Sequence, residues 1–149
     1  MEWAQPARRR RVVWEAEAFA TGAGGRLPTE WEWEAGARGP EGLTYPWGDD
    51  WADGICNTDE AGLNATSPVG IFPRSRSKTF GLDDMAGNVW EWCSSLYDPK
   101  DRIHRVVRGG SWIGNSGVAR AAYRYWGSPE FRYDLIGFRV VWVPGVRTR

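Results

Sequence analysis

The segment from Gly39 to Phe80 contains no sustained helical or alternating pattern, and this constrains the fold more than any other feature. It is rich in Gly, Pro, Asp, Asn and Ser, with Trp47 and Trp51 set among them. A long irregular segment in a compact domain needs partners for its backbone polar groups, and such segments are commonly functional. With 11 Trp and 19 Gly in 149 residues, the chain is poorly suited to a helical bundle. We expect a single domain in which aromatic anchors hold long loops.

Regular elements are predicted on both sides of this segment. Apolar residues recur at helical spacing over residues 12–23, with glycines following as a stop signal. Thr29, with Glu32 three residues later, forms a capping-box pattern that predicts a helix over Glu30–Arg38. Alternation or apolar content predicts strands at residues 87–93, 105–108 and 138–143. The result is an α+β domain, with two short helices packed on a small antiparallel sheet.

Charge and cysteine content exclude several classes of function. The 19 basic and 19 acidic side chains balance, so no overall field favours nucleic acid. The basic run Arg8–Arg11 could form such a patch, but we interpret residues 1–11 as a flexible, solvated tail. Cys56 and Cys93 lack metal-site spacing, and His104 is the single histidine. Acidic residues in the first helix and the lack of a long apolar run predict a soluble chain without signal peptide or membrane insertion.

Several separate motifs occur in an order that resembles the formylglycine-generating-enzyme superfamily, whose fold is a variant of the C-type lectin fold. They are RLPTEWEWEAGARG from Arg26, YPWGDD from Tyr45, TSPVGIFP from Thr66, GLDDMAGNVWEW from Gly81, RVVRGGSW from Arg105, ARAAYR from Ala119 and IGFRVV from Ile136. The resemblance covers nearly all of the chain from about Val13 onward. It implies a C-type-lectin-like domain, but fold alone does not determine function.

The enzyme branches of this superfamily fit the sequence poorly. The resemblance places a catalytic cysteine pair just after the Gly-Gly-Ser-aromatic motif, but residues 113–119 after Trp112 contain no cysteine. Thiolate is both the copper ligand and the redox group there, and Gly or Ala cannot replace it. The iron-dependent branch needs histidines from an added helical domain. A carboxylate acid–base pair among Asp83, Asp84 and Glu91 stays an alternative.

The resemblance extends to a third branch, the variable proteins of diversity-generating retroelements. There, error-prone copying of template adenines rewrites chosen codons near the end of the gene. Residues 105–143 would form this ligand-binding region. The predicted variable positions are Ile113, Gly114, Asn115, Val118, Tyr123, Tyr125, Trp126, Gly127, Phe131, Tyr133, Asp134 and Leu135. All except Trp126 are reachable from an AAC codon.

The aromatic content of these positions favours a binding surface. Tyr and Trp provide large, rigid contact areas at low entropic cost. The alternative is that one or two of these rings belong to the core. We interpret Arg108, Arg120, Arg124, Arg132 and Arg139 as structural, although they could bind an anion. The tryptophans at 31, 33, 47, 90, 92, 112 and 142 are interpreted as core or loop anchors.

The sequence therefore predicts a display scaffold, not an enzyme, whose varied C-terminal surface binds a protein or other macromolecule. The alternative is a superfamily enzyme with an unfamiliar active site. No cofactor is required, but the resemblance implies a possible Ca²⁺ site formed by Asp84, Gly87, Val89 and Glu91. Oxygen ligands from a turn suit Ca²⁺. A capped turn without metal is the alternative.

Overall fold

The computed structural model describes residues 13–142. It contains helices α1 (Val13–Gly22) and α2 (Glu30–Arg38) and short 3₁₀ turns at Asp59–Ala61 and Pro73–Ser75. The strands are β1 (Trp90–Leu96), β2 (Arg105–Arg108), β3 (Arg124–Gly127) and β4 (Ile136–Gly137). The predicted α+β class is confirmed, and the predicted basic tail lies outside the described residues.

Local sequence signals place both helices. In α1, Val13, Ala16 and Ala20 are fully buried on one side, and Gly24 adopts a φ of 78° that ends the helix. In α2, the Thr29 hydroxyl accepts from the Glu32 amide at 3.2 Å, while the Glu32 carboxylate accepts from the Thr29 amide at 2.9 Å. The predicted capping box and the bounds of α2 are confirmed.

The sheet has the strand order β3-β2-β1-β4. Antiparallel pairing joins β1 to β2 and β2 to β3, but β4 lies parallel to β1. The predicted antiparallel sheet is thus mixed, because residues 128–135 carry the chain from the outer strand β3 to the opposite edge. There β4 enters in the direction of β1.

One predicted strand is wrong. Residues 138–140 are irregular, and Val141 forms only an isolated bridge with Arg26. The apolar side chains of this segment pack against the core instead of joining a ladder: Phe138 contacts Phe19 edge-on, with ring centroids 5.6 Å apart. Val143 lies outside the described residues.

The sheet lies between the two helices. On one side, Trp92 and Val107 pack with the buried face of α1. On the other, Cys93 and Val106 pack with Trp33 and its neighbours from α2. A third cluster around Ile55 and Ala119 anchors the long irregular segment. Outer strand β3 is left at the edge of this packed body. None of the helices described is long and apolar enough to cross a membrane.

Candidate functional site

Most of the predicted variable positions lie on β3 and on the segment that follows it. Tyr125 and Tyr133 are 45% and 50% exposed. Tyr123, Trp126 and Phe131 are half-buried, Asp134 is exposed and Leu135 is half-buried. Tyr125 and Trp126 lie on β3, so the sheet holds them on a rigid element.

Aromatic rings from these positions form one connected surface. The Trp90 ring lies 6.1 Å from the Tyr123 ring and 5.7 Å from the Tyr125 ring. Tyr125 stacks on Trp126 at 5.7 Å, and Trp126, Phe131 and Tyr133 follow at centroid distances of 6.2 and 5.1 Å. We call these six residues the aromatic platform: Trp90, Tyr123, Tyr125, Trp126, Phe131 and Tyr133.

The polar atoms of the platform are not used by the fold. Within residues 13–142, the Tyr123, Tyr125 and Tyr133 hydroxyls and the Trp90 and Trp126 indole N–H groups make no hydrogen bond to protein. Buried Tyr and Trp usually find such partners. These groups are therefore available to a ligand.

Two positions differ from the rest of this group. Gly127 is buried, and a Cβ atom there would lie 2.4 Å from the Trp92 ring. Phe131 packs against the core cluster that contains Trp92. Substitution at either position would therefore disturb the core.

The remaining predicted positions occupy a separate loop after β2. Ile113 is 54% exposed, while Gly114 and Val118 are half-buried and Asn115 is exposed. This loop is held by Asp59, whose amide donates to the Gly114 carbonyl at 2.9 Å. Within residues 13–142, no ring contact or direct hydrogen bond joins this loop to the platform.

The framework arginines take structural roles. Arg108 is 1% exposed and pairs with Glu34, while donating to the Ala121 carbonyl at 3.2 Å. The Arg139 guanidinium donates to both carboxylate oxygens of Glu91, at 2.6 and 2.8 Å. Burial opposes its charge, but the adjacent Glu91 carboxylate raises the pKa of Arg139.

The exposed arginines also contact the fold. Arg124 pairs with Glu30 at 2.9 Å and Arg132 with Glu15 at 3.1 Å. Arg120 donates to the Gly117 carbonyl at 3.0 Å. The structural interpretation is thus supported for each of them.

One tryptophan prediction is wrong, and another is incomplete. Trp31 is 73% exposed, unlike Trp33 and Trp92, which are buried. Trp142 is 43% exposed, but its indole N–H donates to the Ala23 carbonyl at 2.9 Å, as expected of a loop anchor. Trp31 lies on the solvent side of α2, because the buried side of that helix is set by Trp33 and Ala37. Trp90 was expected in the core, yet it also supports the platform. Trp90 pairs with Ile136 where β1 meets β4. That pairing depends on long-range register, which no local signal reveals.

Both cysteines are poor candidates for catalysis. Cys56 and Cys93 are buried, free thiols. Burial raises the pKa of Cys56 to about 12 and raises the pKa of Cys93 strongly. Burial of this kind disfavours the thiolate form of both side chains, so neither is a ready nucleophile.

The acidic residues proposed as an acid–base pair have other partners. Asp83 accepts from Arg76 at 2.6 Å, and Asp84 accepts from the Gly70 amide at 2.8 Å. Burial raises the pKa of Asp84, but Glu91 is held by Arg139 and by the Trp33 indole N–H at 2.6 Å. Each of these carboxylates is therefore already engaged by a partner within residues 13–142.

The two predicted calcium ligands that would bind through side chains, Asp84 and Glu91, already have partners in the fold. The Glu91 carboxylate is neutralised by the Arg139 guanidinium, and a divalent cation beside that guanidinium would be repelled. Among residues 13–142, no group of three or more His, Cys, Asp or Glu side chains has a metal-binding arrangement. Calcium binding stays a prediction, which melting curves with added CaCl₂ and with EDTA would decide.

Sequence relatives come from a family that includes enzymes and an inactive member. The chain is 39% identical over 145 residues to "Inactive C-alpha-formylglycine-generating enzyme 2" of Bos taurus, covering 86% of this chain and 48% of that protein. It is 34% identical over 159 residues to "Hercynine oxygenase" of Mycolicibacterium smegmatis, covering 88% of this chain and 36% of that protein. The chain thus spans half or less of these relatives.

Solved structures share the fold. PvdO from Pseudomonas aeruginosa matches with a TM-score of 0.75 and 28% identity, over 89% of this chain and 60% of that one. Treponema denticola variable protein 1 matches with a TM-score of 0.69 and 30% identity, over 77% of this chain and 46% of that one. The C-type-lectin-like fold of the formylglycine-generating type is therefore confirmed.

A family model described as "Sulfatase-modifying factor enzyme 1-like domain" matches residues 10–144. That match covers most of the chain, including both helices and the whole sheet. The chain belongs to the sulfatase-modifying factor enzyme 1-like family.

Proposed function

We propose that the chain is a display scaffold whose aromatic platform binds a macromolecular target, most simply a protein, and is not an enzyme. The observation that carries this proposal is that the exposed and half-buried Tyr and Trp rings of the platform have hydroxyl and indole N–H groups without a hydrogen-bond partner in the described fold. Ligands gain apolar contact with the rings and hydrogen bonds to their edges. Rigid aromatic residues with this dual character dominate binding hot spots.

The support beneath the platform favours the same function. Ion pairs tie β3 and the following segment to both helices, through Arg124 with Glu30 and Arg132 with Glu15. A varied surface needs a frame that folds without help from the varied side chains. Buried Trp92 and Val107 provide that frame directly beneath the platform.

Diversification by a retroelement is part of the proposal. The relevant observation is that predicted variable positions supply every platform ring except Trp90. The structural match to a protein titled as a variable protein supports this reading. Sequencing around the gene would test it: we expect a near-repeat of the final coding segment with adenines at the variable codons.

A display experiment tests the scaffold function directly. One library randomises Ile113, Asn115, Tyr123, Tyr125, Tyr133 and Asp134, and a matched library randomises six framework residues: Ala16, Trp33, Val106, Val107, Ala121 and Ile136. We expect most members of the first library to fold, and binders to a chosen protein to be selectable from it. Equal loss of folded protein in both libraries would contradict the proposal.

The enzyme alternative has its own readout. The family includes proteins named as enzymes, so the purified chain should be incubated with copper, oxygen and a cysteine peptide of the sulfatase type. Buried thiols predict no conversion of that cysteine to formylglycine. Product above the level of a heat-denatured sample would favour the enzyme.

A further inference from the structure

A pocket of about 270 Å³ lies beside the aromatic platform. We call it the side pocket, and the lining residues that matter are Trp14, Arg102, Ile103, Arg105, Pro129 and Glu130. Its volume suits one or two side chains of a partner, since sites for whole small molecules are commonly larger. Its apolar walls are open to solvent: Trp14 and Ile103 are 53% and 58% exposed.

Chain neighbours of the pocket residues link the side pocket to the platform. His104, next to Ile103 in the chain, contacts the Trp126 ring at a centroid distance of 4.5 Å. The Pro129 carbonyl accepts from the Val13 amide at 3.4 Å, which fixes the start of α1 against the segment that follows β3. Trp14 therefore lies beside residues that connect one part of the platform to the next.

The side pocket consists entirely of residues outside the predicted variable positions. Ser128, Pro129 and Glu130 separate Gly127 from Phe131 in the chain. The other lining residues come from α1, the loop before β2 and the first residue of β2, Arg105. Variation of the platform would leave this pocket unchanged. Every variant of the surface would then present the same pocket to its partner.

Charge indicates what the side pocket would accept. Arg102 and Arg105 line it together with one acidic residue, Glu130. Arg105 is engaged, since it lies 3.6 Å from Glu17 and 5.7 Å from the Trp14 ring centre. Arg102 is exposed, and within residues 13–142 it has no ion-pair partner. A carboxylate entering beside Arg102 would be attracted, while its apolar neighbour would pack on Trp14 and Ile103.

We propose that the side pocket is a constant subsite for an acidic side chain, flanked by an aliphatic or aromatic residue, on the protein partner. This rests on the proposed binding function of the platform, whose varied rings would select the partner. The subsite adds a fixed anchor and sets the orientation of the bound segment. Electrostatic complementarity of this kind contributes orientation and association rate.

A peptide-display selection tests the proposal. A random library of linear peptides is selected on the full chain, and the affinities of enriched peptides are measured for variants. We expect Asp or Glu next to an apolar residue to be enriched. Arg102→Glu should weaken these peptides about tenfold, and Glu130→Gln should strengthen them slightly. Arg74→Glu, an equal charge change on an exposed residue outside the pocket, should have little effect.

A charge swap separates binding from folding effects. Replacing the peptide's acidic residue by Lys should abolish binding to the unmodified chain and restore it to the Arg102→Glu variant. Rescue of this kind cannot come from a destabilised variant.

Three outcomes would overturn the proposal. Enrichment of basic peptides would show that the pocket accepts the opposite charge. If binding depends on Tyr125 but its affinity changes less than twofold in Arg102→Glu and in Ile103→Ser, the subsite proposal is wrong and the platform proposal still stands. If no peptide distinguishes the chain from a Tyr125→Ser, Tyr133→Ser double variant, the platform function fails as well.

Discussion

Two aromatic clusters in this molecule have nearly the same ring geometry but opposite relations to the fold. In the long irregular segment, Tyr45, Trp47 and Trp51 contact one another at centroid distances of 5.1 to 5.7 Å; we call them the loop cluster. The platform rings are 5.1 to 6.2 Å apart. Ring contacts alone therefore do not distinguish an anchor from a binding surface.

The polar atoms of the rings do distinguish the clusters. In the loop cluster, the Tyr45 hydroxyl donates to Ser116 at 3.2 Å, and the Trp47 and Trp51 indoles donate to Asp50 and Asp53. The platform makes no such bonds within the described chain. A cluster that uses its polar groups internally supports the fold, whereas one that leaves them to solvent is suited to a ligand.

The largest expected effect is in the loop cluster. Tyr45 is 7% exposed and stacks on Trp47 with an interplanar angle of 4°. Tyr45→Ala should lower the free energy of unfolding by about 3–5 kcal/mol, the range for buried aromatic residues. Urea denaturation would measure it. Tyr45→Phe is the control, with a loss of about 1 kcal/mol for the hydroxyl bond alone. A loss at Tyr45→Ala as small as in the control would mean that this cluster does not hold the segment.

The second effect concerns Gly127, which lies among platform residues but belongs to the core. An added methyl group would press on the Trp92 ring, which is fully buried and cannot move aside. Gly127→Ala should cost about 1–3 kcal/mol through overpacking. Thermal melting would detect this loss of stability. Gly22→Ala is the control, because open space surrounds Gly22. Gly54→Ala is less suitable, because Gly54 has a positive φ. An unchanged melting temperature would mean that position 127 tolerates substitution, as a variable position should.

Sequence reasoning predicted well what local signals determine. The Thr29 and Glu32 pattern gave the bounds of α2, and the run at residues 105–108 gave β2. Both depend on neighbours within a few residues. The variable positions within residues 105–143 come from the family resemblance alone, and they stay a prediction.

Long-range register accounts for what the sequence did not predict. Gly127 is buried because β3 pairs with β2 at Arg105, which places it over the Trp92 ring. Trp90 reaches Tyr125 because the register places both on one face of the sheet: Trp92 and Tyr125 both pair with Val107, and Trp90 is two residues from Trp92. A one-residue slip would reverse the face of each side chain. No local pattern contains that information, and the parallel direction of β4 was missed for the same reason.

The third effect tests the boundary of the platform at Phe131. Its ring is half-buried against the core yet contacts exposed Tyr133 at 5.1 Å. Phe131→Ala should cost about 1–2 kcal/mol, roughly half of the value for full burial of Phe. In differential scanning calorimetry, the loss of stability in Phe131→Ala should lie between the losses in Gly22→Ala and Tyr45→Ala. A cost equal to that of Tyr45→Ala would assign Phe131 to the frame.

The smallest expected effect on stability is at Tyr125, where the effect on binding should be largest. The ring is 45% exposed, lies against Trp90 and Trp126, and has a hydroxyl without a partner in the described chain. Tyr125→Ser should change the free energy of unfolding by less than about 1 kcal/mol, because little buried surface is lost. Against any protein selected on the unmodified chain, the same variant should weaken binding by about 2 kcal/mol or more, as expected for an aromatic anchor near the centre of a contact. Tyr125→Phe separates ring from hydroxyl: it should retain the stacking and lose only the hydrogen bond to the ligand. Melting curves and calorimetric titration on the same samples give both quantities. A Tyr125→Ser variant that unfolds like Tyr45→Ala would place the platform in the same structural class as the loop cluster, and the difference in polar atoms would then carry no functional meaning.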